Sequence, residues 1–238
     1  MTKDKLLNTL RKKNINNYND KILDRDEYIL KLLLTLDDSL IKIGIDIINL
    51  YEDDILASEA IDILKRHPNM NVIRCLTNEN SIKGNVSLEG AKILCGSKEA
   101  FNASILCNET AIKGGIALEG AKIINHSKKW YNAYYGRYPL TDINVINAGY
   151  SLIGANIINN SDKEYKALFA SIALCSEYTG NVVNIAKKIN TSSDWKTACE
   201  ILDKYLINDR INLKEDTLYK DESYSLLTNN IVRRRVKY

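Results

Sequence analysis

The densest group of residues able to do chemistry lies between Lys128 and Tyr138, where Trp130, Tyr131, Tyr134, Tyr135 and Tyr138 are interleaved with Lys128, Lys129 and Arg137. Rings alternating with cations can stack on bases and neutralise phosphates, the chemistry by which single-stranded nucleic acids are held. The same rings serve to fill a core or to anchor a protein interface, because aromatic side chains dominate packing in both. A second cationic group stands in "IVRRRVKY", with Arg233, Arg234, Arg235 and Lys237 beside Ile231, Val232, Val236 and Tyr238. Apolar residues among these cations suit a segment laid across a partner's surface better than a purely solvated tail. Trp130, Tyr134, Tyr135, Arg137, Arg233, Arg234, Arg235 and Tyr238 are therefore the candidate interface residues. A protein partner is expected first and nucleic acid second.

Catalytic chemistry finds no comparable group. The chain has no phosphate loop, dinucleotide glycine fingerprint, nucleophile elbow, zinc helix or kinase signature. "IKGG" at Ile112 to Gly115 and "EYTGN" at Glu177 to Asn181 read as helix ends and turns. Asp37 with Asp38, and Asp53 with Asp54, are adjacent acids, which on a helix surface point in different directions rather than converging on one reacting atom. His67 and His126 lack a thiol or carboxylate at metal-ligand spacing. The five cysteines, Cys75, Cys95, Cys107, Cys175 and Cys199, are odd in number, lack CxxC spacing and sit in apolar surroundings, the pattern of packed, reduced thiols. A non-enzymatic protein without metal or cofactor is the expectation.

With 45% hydrophobic and 26% charged residues, 238 residues suffice for one large core or two small ones. A net charge of +3, from 33 basic and 30 acidic side chains, is too even to mark a nucleic-acid surface unless the charge is clustered. No apolar run is long enough to cross a bilayer, and the N-terminus lacks an apolar signal core. A cytoplasmic protein is the default expectation.

The positioning elements read as helices. From Lys21 to Leu50, apolar residues such as Ile29, Leu32, Leu33, Leu36, Leu40, Ile43 and Ile47 recur at three- and four-residue spacings. Asp37 and Asp38 before Ser39 can divide this stretch into two helices, since short polar residues cap new helices. Ile55 to Leu64 repeats the periodicity, and His67-Pro68-Asn69 stops it. "TSSDWKTACEILDKYLI" predicts a capped helix with Trp195, Ala198, Cys199, Leu202 and Leu206 on one face.

Between these lies a repeat. "LEGAKI" stands at Leu88 to Ile93 and again at Leu118 to Ile123, and "LIGANI" follows at Leu152 to Ile157. The likeness continues through Ser97, Ser127 and Ser161, then Phe101, Tyr131 and Tyr165, then Ala103, Ala133 and Ala167. One supersecondary unit is used three times, starting near residues 85, 115 and 149. The alternation in "VSLEGAKI" also fits a β-helix coil, but such coils recur without the unrelated residues that separate these copies. The helical reading makes each unit a helix, a polar turn and a second helix, with Ser161 to Glu164 at capping-box spacing. Glycine within a helix costs roughly 0.5–1 kcal/mol relative to alanine. Its recurrence at Gly90, Gly120 and Gly154 therefore predicts close approach by a neighbouring backbone.

The expected architecture is all-α, a helical bundle or short stack of helix-turn-helix repeats. Amphipathic helices fill 1–70, the repeat core with a final helix 71–207, and an extended basic arm 208–238.

The segment Ile143 to Val183 resembles the opening of the head-to-tail connector (adaptor) proteins of short-tailed bacteriophages. The likeness rests on Asn147, on Leu152, Ile153, Gly154 and Ala155, on Ile158 and Asp162, and on Ala167 and Tyr178. It covers about forty residues of the chain. The resemblance implies a helical virion protein that assembles as a homo-oligomeric ring beneath a portal and docks a C-terminal arm on a neighbouring or tail subunit. The alternative from the residues alone is a helical-repeat module binding a protein or a single-stranded nucleic acid.

Overall fold

The computed structural model describes residues 3–12, 20–97, 101–176 and 181–216. Among them there are helices and no strand, so the all-α reading holds and the β-helix alternative is excluded. The N-terminal helices are α1 (Lys3–Lys12), α2 (Asp20–Leu23), α3 (Glu27–Leu33), α4 (Asp38–Leu50) and α5 (Asp54–Arg66). The division at Asp37 and Asp38 is real, and His67 closes α5 before Pro68. Asp53 caps α5, its side chain accepting from the Ile55 and Leu56 amides. Asp54 pairs with Arg25.

The repeat has three helices per unit rather than the expected two. Unit A is α6 (Met70–Leu76), α7 (Glu79–Lys83) and α8 (Ser87–Cys95). Unit B is α9 (Phe101–Leu106), α10 (Glu109–Lys113) and α11 (Ala117–Asn125). Unit C is α12 (Trp130–Gly136), α13 (Ile143–Asn147) and α14 (Ser151–Asn159). A fourth unit D follows with α15 (Glu164–Leu174) and α16 (Val182–Asn190), and α17 (Trp195–Asp216) packs on both. The short middle helix has only five residues, too few to show a period, which is why pattern alone merges it into a turn.

Each middle helix is bounded the same way. Asn78, Asn108 and Asp142 cap its start, their side-chain oxygens accepting from Ser81 N at 3.0 Å, Ala111 N at 2.8 Å and Asn144 N at 2.8 Å. Its end is a Schellman turn: Val86 N donates to Ser81 O and Asn85 N to Ile82 O, with the matching pairs at Ile116 and Gly115 and at Tyr150 and Gly149. That turn requires left-handed backbone at one residue, and Asn85, Gly115 and Gly149 have φ of 56°, 70° and 75°.

Stacking the units builds the core. The third helices form one row, α8 on α11, α11 on α14 and α14 on α16, and α5 joins it against α8. Equivalent residues Leu64, Leu94, Ile124, Ile158 and Ile189 are all buried along this row, as are Ile61, Ala91, Ala121, Ala155 and Ala186. The ladder therefore continues into α5 and α16, beyond the three copies visible in sequence. The recurrent glycines do mark close approach, but by a side chain and not by a backbone. A Cβ on Gly90 would lie 2.9 Å from Leu106 Cδ2, on Gly120 3.0 Å from Leu140 Cδ2, and on Gly154 3.0 Å from Leu174 Cδ1. Each glycine is the seat for a leucine of the following unit. Gly84 and Gly114 do the same for the isoleucines Ile112 and Ile146.

Two further expectations change. Ser161 does not open a capping box: its amide donates to Ile158 O and closes α14, while α15 begins at Glu164 with Lys163 before it. The helix α17 runs to Asp216, so residues 208–216, expected as part of an extended arm, are helical. The remainder of that arm, with Arg233, Arg234, Arg235 and Tyr238, lies outside the described residues.

Buried polar groups tie the stack together. Asn159 Nδ2 in unit C donates to Ile123 O of unit B at 3.3 Å, and Asn190 Nδ2 in unit D to Ile157 O of unit C at 3.1 Å. Ser81 Oγ donates to Leu106 O across the A–B joint at 2.7 Å. At the N-terminal side Tyr51 donates to Ser87 Oγ at 2.5 Å, and Ser87 in turn to Cys75 O at 3.0 Å. Burial pushes the Tyr51 hydroxyl up to about 12. Its folded value lies above the unfolded one of about 10, so this contribution is complete below about pH 10 and disappears as pH rises through the folded value. Urea titrations should lose up to about 3 kcal/mol from this source between about pH 10 and 12. Tyr51→Phe should show a smaller alkaline loss than wild type; an identical loss in the two proteins would assign it elsewhere.

Candidate interaction site

The aromatic–cationic segment forms α12 and the turn after it. Tyr135 is only 8% exposed, packed in the core of units C and D, with its hydroxyl 3.5 Å from Glu164 Oε1. It supports the surface rather than forming it. Tyr131 and Lys129 are also held from behind, both donating to Asp162 O, at 2.8 and 2.7 Å. Tyr134 and Arg137 are half-buried, while Trp130 and Tyr138 are 55% and 37% exposed.

Phe101 of α9 completes the cluster. Tyr134 meets it edge-on with ring centroids 5.4 Å apart, and contacts Trp130 at 6.3 Å and Tyr138 at 5.7 Å. The Arg137 guanidinium sits 5.0 Å from the Phe101 centroid, 4.5 Å from Tyr134 and 5.0 Å from Tyr138. Cation–π contacts of this kind contribute on the order of 0.5–1 kcal/mol each at partly exposed sites. Arg137 Nη2 also donates to Tyr138 Oη at 3.3 Å. The Tyr138 and Tyr134 hydroxyls hydrogen bond to each other at 3.1 Å. Burial raises the Tyr138 hydroxyl, but those bonds from Tyr134 and Arg137 outweigh it and hold it below the ordinary tyrosine value. Tyr134 is pushed up in consequence, chiefly by its bond to Tyr138.

This arrangement bears on what the surface can bind. Successive bases need free ring faces, but Arg137 already covers Phe101, Tyr134 and Tyr138. Trp130 is the most exposed ring of the cluster, held on a rim whose other members are locked by mutual contact. One projecting aromatic on a rigid, pre-ordered base is the form of a protein-interface anchor.

Further along, Phe169 contacts Tyr165 and Trp195, the latter 47% exposed at the start of α17. Sequence reading singled out α12 but missed Phe101 and this extension, because their rings meet only when first helices of successive units are placed side by side. The signal was present at Phe101, Tyr131 and Tyr165, one repeat apart.

On the third-helix row, a cleft of about 490 Å³ lies between α14 and α16, lined by Ile153, Asn156, Ile157, Lys187, Asn190 and Thr191. Units A and B carry the pairs Glu89–Lys92 and Glu119–Lys122 on the equivalent face, where unit C has Ile153 and Asn156. The cleft holds no acid–base pair that could act on a substrate. Among the described residues no group of three or more His, Cys, Asp or Glu side chains could hold a metal ion, and no helix is long and apolar enough to cross a membrane.

No protein-family model, curated protein or solved structure matches this chain.

Proposed function

We propose that the protein is a non-enzymatic helical-repeat assembly subunit whose first-helix face, centred on Trp130, docks against another copy of the same chain. The observation that carries this reading is the exposed Trp130 ring on a rim already fixed by Tyr134, Arg137, Tyr138 and Phe101. Because the rim is ordered before binding, little side-chain freedom is lost when the surface is covered. Docking of each copy through a face that is not its own complement generates rings or open rows, the assemblies expected of a connector-like ring subunit. The likeness over residues 143–183 supports that more specific form. In this chain its Leu-Ile-Gly-Ala element is part of α14, stacked between α11 and α16, and its Tyr178 lies outside the described residues.

Native mass spectrometry of the full chain tests the proposal. The expected result is a discrete oligomer that Trp130→Ala converts to a folded monomer, with its helical circular dichroism unchanged because the replaced ring is mostly exposed in the single chain. A wild-type monomer, or an oligomer indifferent to Trp130→Ala, overturns it. Salt-dependent binding of a fluorescent oligothymidine by a monomer, weakened in Trp130→Ala, would instead favour the nucleic-acid reading.

A further inference from the structure

Two of the cysteines meet at the joint between units A and B. Cys75 is on α6 and fully buried, with its thiol donating to Ser87 O at 3.5 Å. Cys107 follows α9, is half-buried, and directs its sulfur at Arg74 O, the carbonyl that precedes Cys75, at 3.8 Å. The Ser81 hydroxyl, which donates to Leu106 O, lies 3.6 Å from the Cys107 sulfur, and each of the two thiols is the strongest influence on the other's acidity. The pair is thus asymmetric: one sulfur within reach of solvent and one behind it.

We propose that Cys107 and Cys75 are a peroxide-sensitive dithiol that closes to a disulfide across the A–B joint. Cys107 has the properties of the attacking member. The neighbouring Cys75 thiol, followed by Ser81 and the charge of Arg74, outweighs burial and holds its thiol below the ordinary cysteine value, which favours the nucleophilic thiolate. Cys75 moves the other way, raised by its neighbour Cys107 and by burial, which suits the resolving rather than the attacking member.

The reaction balances with hydrogen peroxide as oxidant. The Cys107 thiolate attacks one peroxide oxygen and the O–O bond breaks. Hydroxide leaves, takes up a proton to become water, and Cys107 remains as the sulfenic acid. The Cys75 sulfur then attacks the Cys107 sulfur; the S–O bond breaks, and the departing hydroxide takes the Cys75 proton as a second water. Two thiols are oxidised, one peroxide is reduced, and the product bond links α6 to the turn after α9. Cys95, Cys175 and Cys199 lack both a thiol neighbour and a lowered pKa; burial raises each of them.

Reduced full-length protein treated with hydrogen peroxide near neutral pH, quenched by alkylation and digested without reductant, tests this by peptide mapping. The expected product is a single cross-linked pair joining the Cys75 and Cys107 peptides, lighter by two hydrogens. Cys75→Ser should leave Cys107 as a sulfenic acid trapped by dimedone. If that variant does not fold, the wild-type map decides alone. Links between other cysteines, oxidation of Cys107 without a link, or no reaction at either residue overturns the proposal.

Discussion

Gly120→Leu should destabilise the protein by about 3 kcal/mol, the upper range for forcing extra volume into a packed site. A Cβ at Gly120 already meets both Leu140 methyls, at 3.0 and 3.1 Å, so a leucine must expel the Leu140 side chain from its seat. Leu140 is fully buried among residues of units B and C, leaving it nowhere to go without separating the units. Against a typical total stability of 5–15 kcal/mol, such a change is large. Chemical denaturation gives the value. The diagnostic measurement is the double mutant Gly120→Leu with Leu140→Ala, which should recover about 1–2 kcal/mol relative to the sum of the single changes, because the volumes are exchanged. Strict additivity would mean the two residues do not oppose each other. Gly96→Ala is the control: nothing lies within 4 Å of a Cβ there, and its φ of −98° suits any residue. It should be neutral or stabilising by up to about 1 kcal/mol.

Leu106→Ala should cost about 2–5 kcal/mol and, further, should change how the protein unfolds. Leu106 is fully buried and fills the space above Gly90. Its removal leaves a cavity in the joint between units A and B, where the Ser81 bond to Leu106 O also crosses. In a stack where each unit contacts only its neighbours, stability is a sum of unit and joint contributions, so weakening one joint uncouples its two sides. Hydrogen exchange on the mutant should then separate the amides of α5 to α8 from those of α12 to α16 into groups of different opening free energy. Uniform acceleration in both groups would show that the chain remains one cooperative unit despite the cavity.

Much of the local structure was legible in the residues. The breaks at Asp37 and His67 follow from helix signals within a few positions of the boundary, as do the helix end and turn at Ile112 to Gly115. The repeat was visible because Gly-Ala, Ser, aromatic and Ala recur at nearly constant spacing. Its extent was not. In α16 the glycine position is Ile185, and in α5 it is Ala60, so letter-by-letter likeness fails although Leu64 and Ile189 keep their places in the buried row. The serine of the expected capping box was misassigned for a related reason: Ser161 has the correct spacing to Glu164, but its amide is already committed to the end of α14.

What the amino-acid order determined was therefore the helices, their capped ends and the left-handed turns, properties of residues within one or two turns of each other, together with the period of the repeat. Tertiary structure decided which surfaces meet. That Leu140 sits on Gly120, that Arg137 covers Phe101, and that Cys107 abuts the Arg74 carbonyl are contacts between residues 20 to 36 positions apart. Those pairings depend on the offset with which one unit stacks on the next, and that offset is set by the joint packing of many side chains rather than by any local preference of the chain.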